Sequence, residues 1–160
     1  MMPTQQSSTE RKQHIEQTCL RLLAMREHSQ RELIDKLALK GYKANEVLPI
    51  IIDMAEKGWQ DNQRFAECYA RQRMQKGYGP LKIQYELQQR GIEALELNHW
   101  AEENLGGWFN GLIGIYQHKY DDQTQLTQAE WFKRSRFLQQ RGYSGAMIKQ
   151  LLTELNIKLV

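Results

Sequence analysis

The chain has 160 residues, 41% apolar and 26% charged, with a formal net charge of +3. That length suits one compact domain or a short array of small modules, and the mild positive balance hints at acidic partners. No run of about 18 apolar residues spans a bilayer, and the polar stretch Met1 to Thr9 lacks the apolar core of a signal peptide, so a cytoplasmic protein without membrane contact is expected.

Residues 1–9 read as a disordered tail. A first helix is expected from about Glu10 to Glu27, with Ile15, Cys19, Leu22 and Leu23 on its buried face. Ser29 with Glu32 forms a capping-box pattern at the start of a second helix, which ends at Lys40 before Gly41. A third ends at Lys57, before Gly58, and Pro49 either fits its first turn or kinks it. Asp61 or Asn62 caps a fourth, running to Lys76. The loop Gly77-Tyr78-Gly79 leads into a fifth from Pro80 to Arg90, with Pro at the first helical position. A sixth runs from about Glu93 to Asn104, and Gly106-Gly107 makes the next hinge. The last three helices are expected near 108–120, 127–141 and 145–156, the middle one opened by Thr127 with Glu130. Strand alternation is absent from the pattern, since Ile50-Ile51-Ile52 sits within helical spacing.

A repeat organises these helices. Leu37-Lys40-Gly41-Tyr42, Leu87-Arg90-Gly91-Ile92 and Leu138-Arg141-Gly142-Tyr143 recur at about 50 residues. Beyond each glycine, apolar residues recur at the same offsets: Val47, Leu97 and Ile148, then Ile50, Trp100 and Leu151. The pattern predicts a helix end with a left-handed glycine, where the residue after the glycine clasps the leucine before it. Lys40, Arg90 and Arg141 then sit at the negative end of a helix dipole, and either cap it or reach a partner. The expected fold is all-α, with three tandem three-helix repeats at 10–58, 59–105 and 106–160 forming an elongated, curved array. A concave face of such an array is the natural place for a partner.

Chemistry is not evident. Gly77-Tyr78-Gly79 lacks the strand and the Lys-Ser/Thr ending of a phosphate loop, and reads as a turn between helices. Asp121-Asp122 and Glu102-Glu103 are adjacent pairs, which point in different directions on a helix. His14, His28, His99 and His118 lack metal-ligand spacing. Cys19 and Cys68 sit at apolar helical positions, as buried free thiols. No catalytic residue, cofactor or metal is expected. Trp59, Trp100, Trp108 and Trp131 read as packing rather than base-stacking residues.

Charge is distributed in blocks. Cations dominate from Asn62 to Gly91 and from Lys133 to Arg141, and acids lie between them. This suits a partner of mixed charge, or an ordinary solvated surface. Arg64 and Arg71, seven apart and so on one helical face, join Lys82 as a first candidate contact patch. Lys133, Arg134 and Arg136 form a second, and both are expected to face one groove. Arg73 lies four before Gly77 and is placed to stack on Tyr78, a structural cation–π contact.

The stretch from Gly58 to Ile92 resembles the RecX family of bacterial RecA regulators. The matching elements are Gly58, Asp61, Arg64-Phe65-Ala66, Tyr69, Arg73, Lys76-Gly77-Tyr78-Gly79, Ile83, Leu87 and Arg90-Gly91-Ile92. Ser29 to Leu33 with Gly41-Tyr42, and Arg136-Phe137-Leu138 with Gly142-Tyr143, extend the likeness over nearly all of the chain after the tail. Gln60 departs from it, standing where the family usually has an apolar residue. The resemblance implies a monomeric protein that binds the RecA filament on single-stranded DNA, in its groove or at its end. It also implies restraint of the recombinase, ATPase and coprotease activities of RecA, and so modulation of recombination and the SOS response. The rival reading is direct, non-specific DNA binding by helix-turn-helix-like modules. The acids Glu93, Glu96, Glu102 and Glu103 on the sixth helix oppose it.

Overall fold

Nine α-helices fill most of residues 7–160, the residues that the structure, a computed structural model, describes. In chain order they are α1 (Ser8–Met25), α2 (Gln30–Ala38), α3 (Ala44–Glu56), α4 (Asn62–Gln75) and α5 (Pro80–Gln89). Then come α6 (Leu97–Leu105), α7 (Trp108–Lys119), α8 (Gln128–Gln140) and α9 (Gly145–Glu154). Two short strands, β1 (Gln125–Leu126) and β2 (Lys158–Leu159), pair in parallel. At two residues each, they are too short for alternation to show in the sequence.

Of the expected tail, residues 1–6 lie outside the described residues. Ser7 caps α1, its hydroxyl accepting from the Glu10 N–H at 3.1 Å, so the helix opens at Ser8, ahead of the expected Glu10. The sixth helix starts later than expected, at Leu97 rather than near Glu93. The apolar stripe begins only at Leu97, and the preceding turn leaves Leu95 90% exposed. Pro49 lies in the second turn of α3, where its ring nitrogen cannot donate to the Asn45 carbonyl.

The helix ends follow the sequence closely. The Tyr42 N–H donates to the Leu37 carbonyl at 3.1 Å and the Gly41 N–H to the Ala38 carbonyl at 3.0 Å, which is the Schellman arrangement. Trp59 on Met54, Tyr78 on Arg73 and Tyr143 on Leu138 repeat it, and Gly41, Gly91 and Gly142 all have positive φ. A further copy ends α9: Asn156 takes the left-handed position at φ 54°, and the Ile157 N–H reaches the Leu152 carbonyl at 2.9 Å. Asn, like Gly, tolerates that conformation.

The chain divides into two compact units. The first comprises the described residues up to Cys68 together with Arg90–Ile92. Its core is Ile15 and Cys19 of α1, Leu33 and Leu37 of α2, Tyr42, and Val47, Ile50, Ile51 and Met54 of α3. The second comprises Tyr69–Gln89 and Glu93–Val160. Leu112, Tyr116, Leu138, Tyr143, Ile148 and Leu151 centre one core there, closed at its edge by Leu126 and Ile157 beside the strand pair.

Trp100 is buried and Trp108 and Trp131 are half-buried, as packing residues should be, but Trp59 is 49% exposed. The cap at Gly58 spends the backbone of Trp59 on the end of α3 and leaves its ring outside, under the Lys57 ammonium at 4.9 Å. Cys19 is fully buried, which pushes its thiol up to about 11. Cys68, expected to be buried, is only partly so, and both thiols are free.

Candidate functional site

The central motif builds a polar cluster inside the second unit. The Schellman cap at Gly77 turns Tyr78 back over the last turn of α4, where the Arg73 guanidinium lies 3.8 Å from the ring centroid. Arg141 and Lys82 flank the same ring at 4.7 and 4.9 Å. Arg73 donates to Glu86 at 2.7 Å, and the Tyr69 hydroxyl donates to the other oxygen of that carboxylate. Burial pushes the Glu86 carboxyl up, but these two hydrogen bonds outweigh it and hold the group below its ordinary value. Arg73, Tyr78, Tyr69 and Glu86 thus clamp α4 to α5.

Gly79 and Gly142 form a joint within the same unit. The Gly79 N–H donates to the Arg141 carbonyl at 2.7 Å and the Leu81 N–H to the Gly142 carbonyl at 3.0 Å. The orphan amides at the start of α5 therefore satisfy orphan carbonyls at the end of α8, positive dipole end against negative. A Cβ on Gly79 would stand 2.7 Å from the Gly142 carbonyl, and one on Gly142 2.7 Å from the Lys82 amide. In the first unit the segment Arg90–Ile92 packs against the start of α2 through side chains. A Cβ on Gly91 would stand 3.0 Å from the Arg31 Cβ, and Arg90 lies 3.8 Å from Glu32.

The predicted contact residues divide into built-in and surface groups. Arg64 is exposed, yet it donates to Glu27 at 2.6 Å and to the Gly58 and Trp59 carbonyls at 3.1 and 3.3 Å. It fastens the α3–α4 turn to the end of α1. Arg134, expected at the surface, is buried. It donates to the Tyr116 hydroxyl at 2.8 Å and to Glu130 at 3.1 Å, and lies 4.5 Å from the Tyr120 ring centroid. Burial works against its charge, but those hydrogen bonds overcome it and raise its pKa above the ordinary value. The second patch is therefore Lys133 and Arg136 alone, both exposed and three apart on α8. Arg71 is exposed, and Lys82 is half-buried beside Tyr78.

Gln60, the departure from the family pattern, is buried and fully engaged. Its amide donates to the His28 carbonyl at 3.2 Å and to the Asn62 side chain at 2.9 Å, and its oxygen accepts from Gln30 at 3.3 Å. Arg141 also differs from its expected role, donating to the Lys76 carbonyl at 3.2 Å and so capping α4 rather than its own helix. Neither partnership has a local sequence signal, because Arg141 and Lys76 are 65 residues apart. Among the described residues, no three His, Cys, Asp or Glu side chains gather to hold a metal, and no helix is long and apolar enough to cross a membrane.

Short helices in sets of three, closed by Schellman caps and joined helix end to helix start, define an all-α protein of three-helix modules. Residues 17–51 match the model of the RecX first three-helix domain, and residues 61–95 that of the second. A regulatory protein RecX of Legionella pneumophila is 35% identical over 138 residues, 86% of this chain and 92% of that protein. One from Halorhodospira halophila is 33% identical over 135 residues, 84% of each chain. The fold matches a crystal structure of a regulatory protein RecX with a TM-score of 0.72 at 16% identity, covering 96% of this chain and 81% of that one. RecX from Lactobacillus salivarius matches with a TM-score of 0.63 at 20% identity, covering 91% and 96%. The chain belongs to the RecX family of regulatory proteins.

Proposed function

We propose that this protein binds RecA on single-stranded DNA, in the filament groove or at its end, and restrains its ATPase, recombinase and coprotease activities. The observation that carries this reading is the match to regulatory proteins RecX over 84% and 92% of their length, with the central motif in place. The design of the site supports it. Tyr69, Arg73, Tyr78, Gly79 and Glu86 are spent on joining helices. The cations Lys133 and Arg136 are exposed on α8, and Arg71 on α4. A protein that acts by contact, without a reaction centre, uses charge in this way.

The test is a titration into RecA on single-stranded DNA, with ATP hydrolysis followed. Inhibition well below one copy per RecA is expected, because one bound copy at an end or across protomers affects many subunits. Inhibition only at concentrations that coat the DNA would favour direct DNA binding. No inhibition would remove the proposal.

A further inference from the structure

The second unit contains a groove beside the Tyr78 cluster. It has a volume of about 900 Å³ and runs between the end of α4, one face of α7 and the end of α8. Lys76, His118, Lys119 and Arg141 stand on its wall, and none of its lining residues is Asp or Glu. Met74, Leu105, Ile115 and Phe137 give it an apolar floor, with the neutral Gln75, Asn104 and Asn110 also in its lining. Gly114 of α7 is exposed on the floor, and a Cβ there would meet nothing within 4 Å.

Cations ringing an apolar floor, without a counter-charge, call for a ligand that brings both carboxylates and aliphatic groups. Single-stranded nucleic acid would need open aromatic faces for its bases. Here those faces are covered: Lys119 sits 3.4 Å over Phe137 and Arg141 lies 5.3 Å from it. At the same end of α4, Tyr78 is covered by Arg73 and Arg141 at 3.8 and 4.7 Å. We infer that this groove takes an acidic segment of a partner protein, its carboxylates on Lys76, Lys119 and Arg141 and an apolar side chain over Gly114. This deepens the proposed function, and rests on it only in that the partner is a protein.

Gly114→Leu is the decisive variant. It adds bulk to the floor from a helix interior where a Cβ meets nothing within 4 Å, and leucine is the better helix former. Lys76→Glu reverses one wall charge at an exposed position. The probe is a fluorescein-labelled peptide of repeated Asp-Leu-Glu, read by anisotropy with the full chain, beside an Asn-Leu-Gln peptide and a labelled oligothymidylate. The acidic peptide should bind, and the amide peptide should bind at least about tenfold more weakly. Both variants should lose about tenfold or more for the acidic peptide, while Gly114→Leu melts at or above the parent temperature and Lys76→Glu close to it. Absence of acidic-peptide binding, or equal affinity in parent and Gly114→Leu, would overturn the inference. So would an oligothymidylate that binds the parent and is lost in Gly114→Leu, since the groove would then serve nucleic acid. RecA is absent throughout, so this result and that of the ATPase titration are independent.

Discussion

Arg134 and Arg136 are two residues apart on α8 and do opposite work. Arg134 is buried between the Tyr116 hydroxyl and Glu130, while Arg136 is exposed. Removing the first strands a buried hydroxyl and a carboxylate, so Arg134→Met should cost about 2–4 kcal/mol in urea unfolding. Arg136→Glu should stay within about 0.5 kcal/mol, as an exposed substitution does. The glycines divide in the same manner. Gly79→Ala drives a methyl to within 2.7 Å of the Gly142 carbonyl and should lose about 1–3 kcal/mol by forcing α5 off α8. Gly114→Ala meets nothing within 4 Å and should gain about 0.5–1 kcal/mol as a helix-interior replacement. Composition and spacing cannot separate these pairs. Arg134 reads as one more member of a cationic run, and only Tyr116, eighteen residues earlier, shows that it points inward.

At the scale of elements, the start of α2 carries both a legible and an illegible part. The capping box was readable: the Ser29 hydroxyl accepts from the Glu32 N–H and the Glu32 carboxylate from the Ser29 N–H, each at 3.1 Å. The residues around it come from 30 or more positions away, with Asn62 accepting from the Gln30 N–H at 3.0 Å and Gln60 holding the His28 carbonyl. Local spacing encodes caps; tertiary hydrogen bonds leave no period. Asn156 is a local cap as well, with Asn in the left-handed place that Gly fills in the repeated motif. Buried His28 completes this element, its Nδ1 on the Arg26 carbonyl and its Nε2 accepting from the Lys36 ammonium at 2.8 Å. Burial, with Arg26 and Lys36 nearby, lowers its pKa, against a smaller opposing pull from the Arg26 carbonyl and Glu32. The folded state thus favours the neutral ring. Its contribution to stability is complete above the ordinary value of about 6.5 and is lost as pH falls through it towards the lower folded value. Unfolding midpoints between pH 7 and 5 should therefore drop more steeply for the parent than for His28→Gln, which keeps a donor and an acceptor without titrating.

At the scale of the whole molecule, the period of about 50 residues marks the modules and says nothing of a partner, and the proposed one is implied only by the family resemblance around its second copy. The two kinds of cation give the proposed function its sharpest test. Arg64 fastens the first unit through Glu27 and two carbonyls, so reversing it disturbs a helix junction as well as any contact. Arg71, Lys133 and Arg136 are exposed on the second unit, where reversal changes the surface field and leaves the cores alone. A triple reversal, Arg71→Glu with Lys133→Glu and Arg136→Glu, shifts the net charge by six, from +3 to −3. Electrostatic association of oppositely charged surfaces slows steeply under such a change and under added salt. The triple variant should retain the parent melting temperature yet require at least about tenfold more protein to inhibit the RecA ATPase, roughly 1.4 kcal/mol of binding. The parent itself should weaken as salt is raised, and the triple variant should show a flatter salt dependence. An unchanged inhibition midpoint in the folded triple variant would move the contact to other surfaces. The groove variant Gly114→Leu, assayed beside it, would show whether the α7 face is among them.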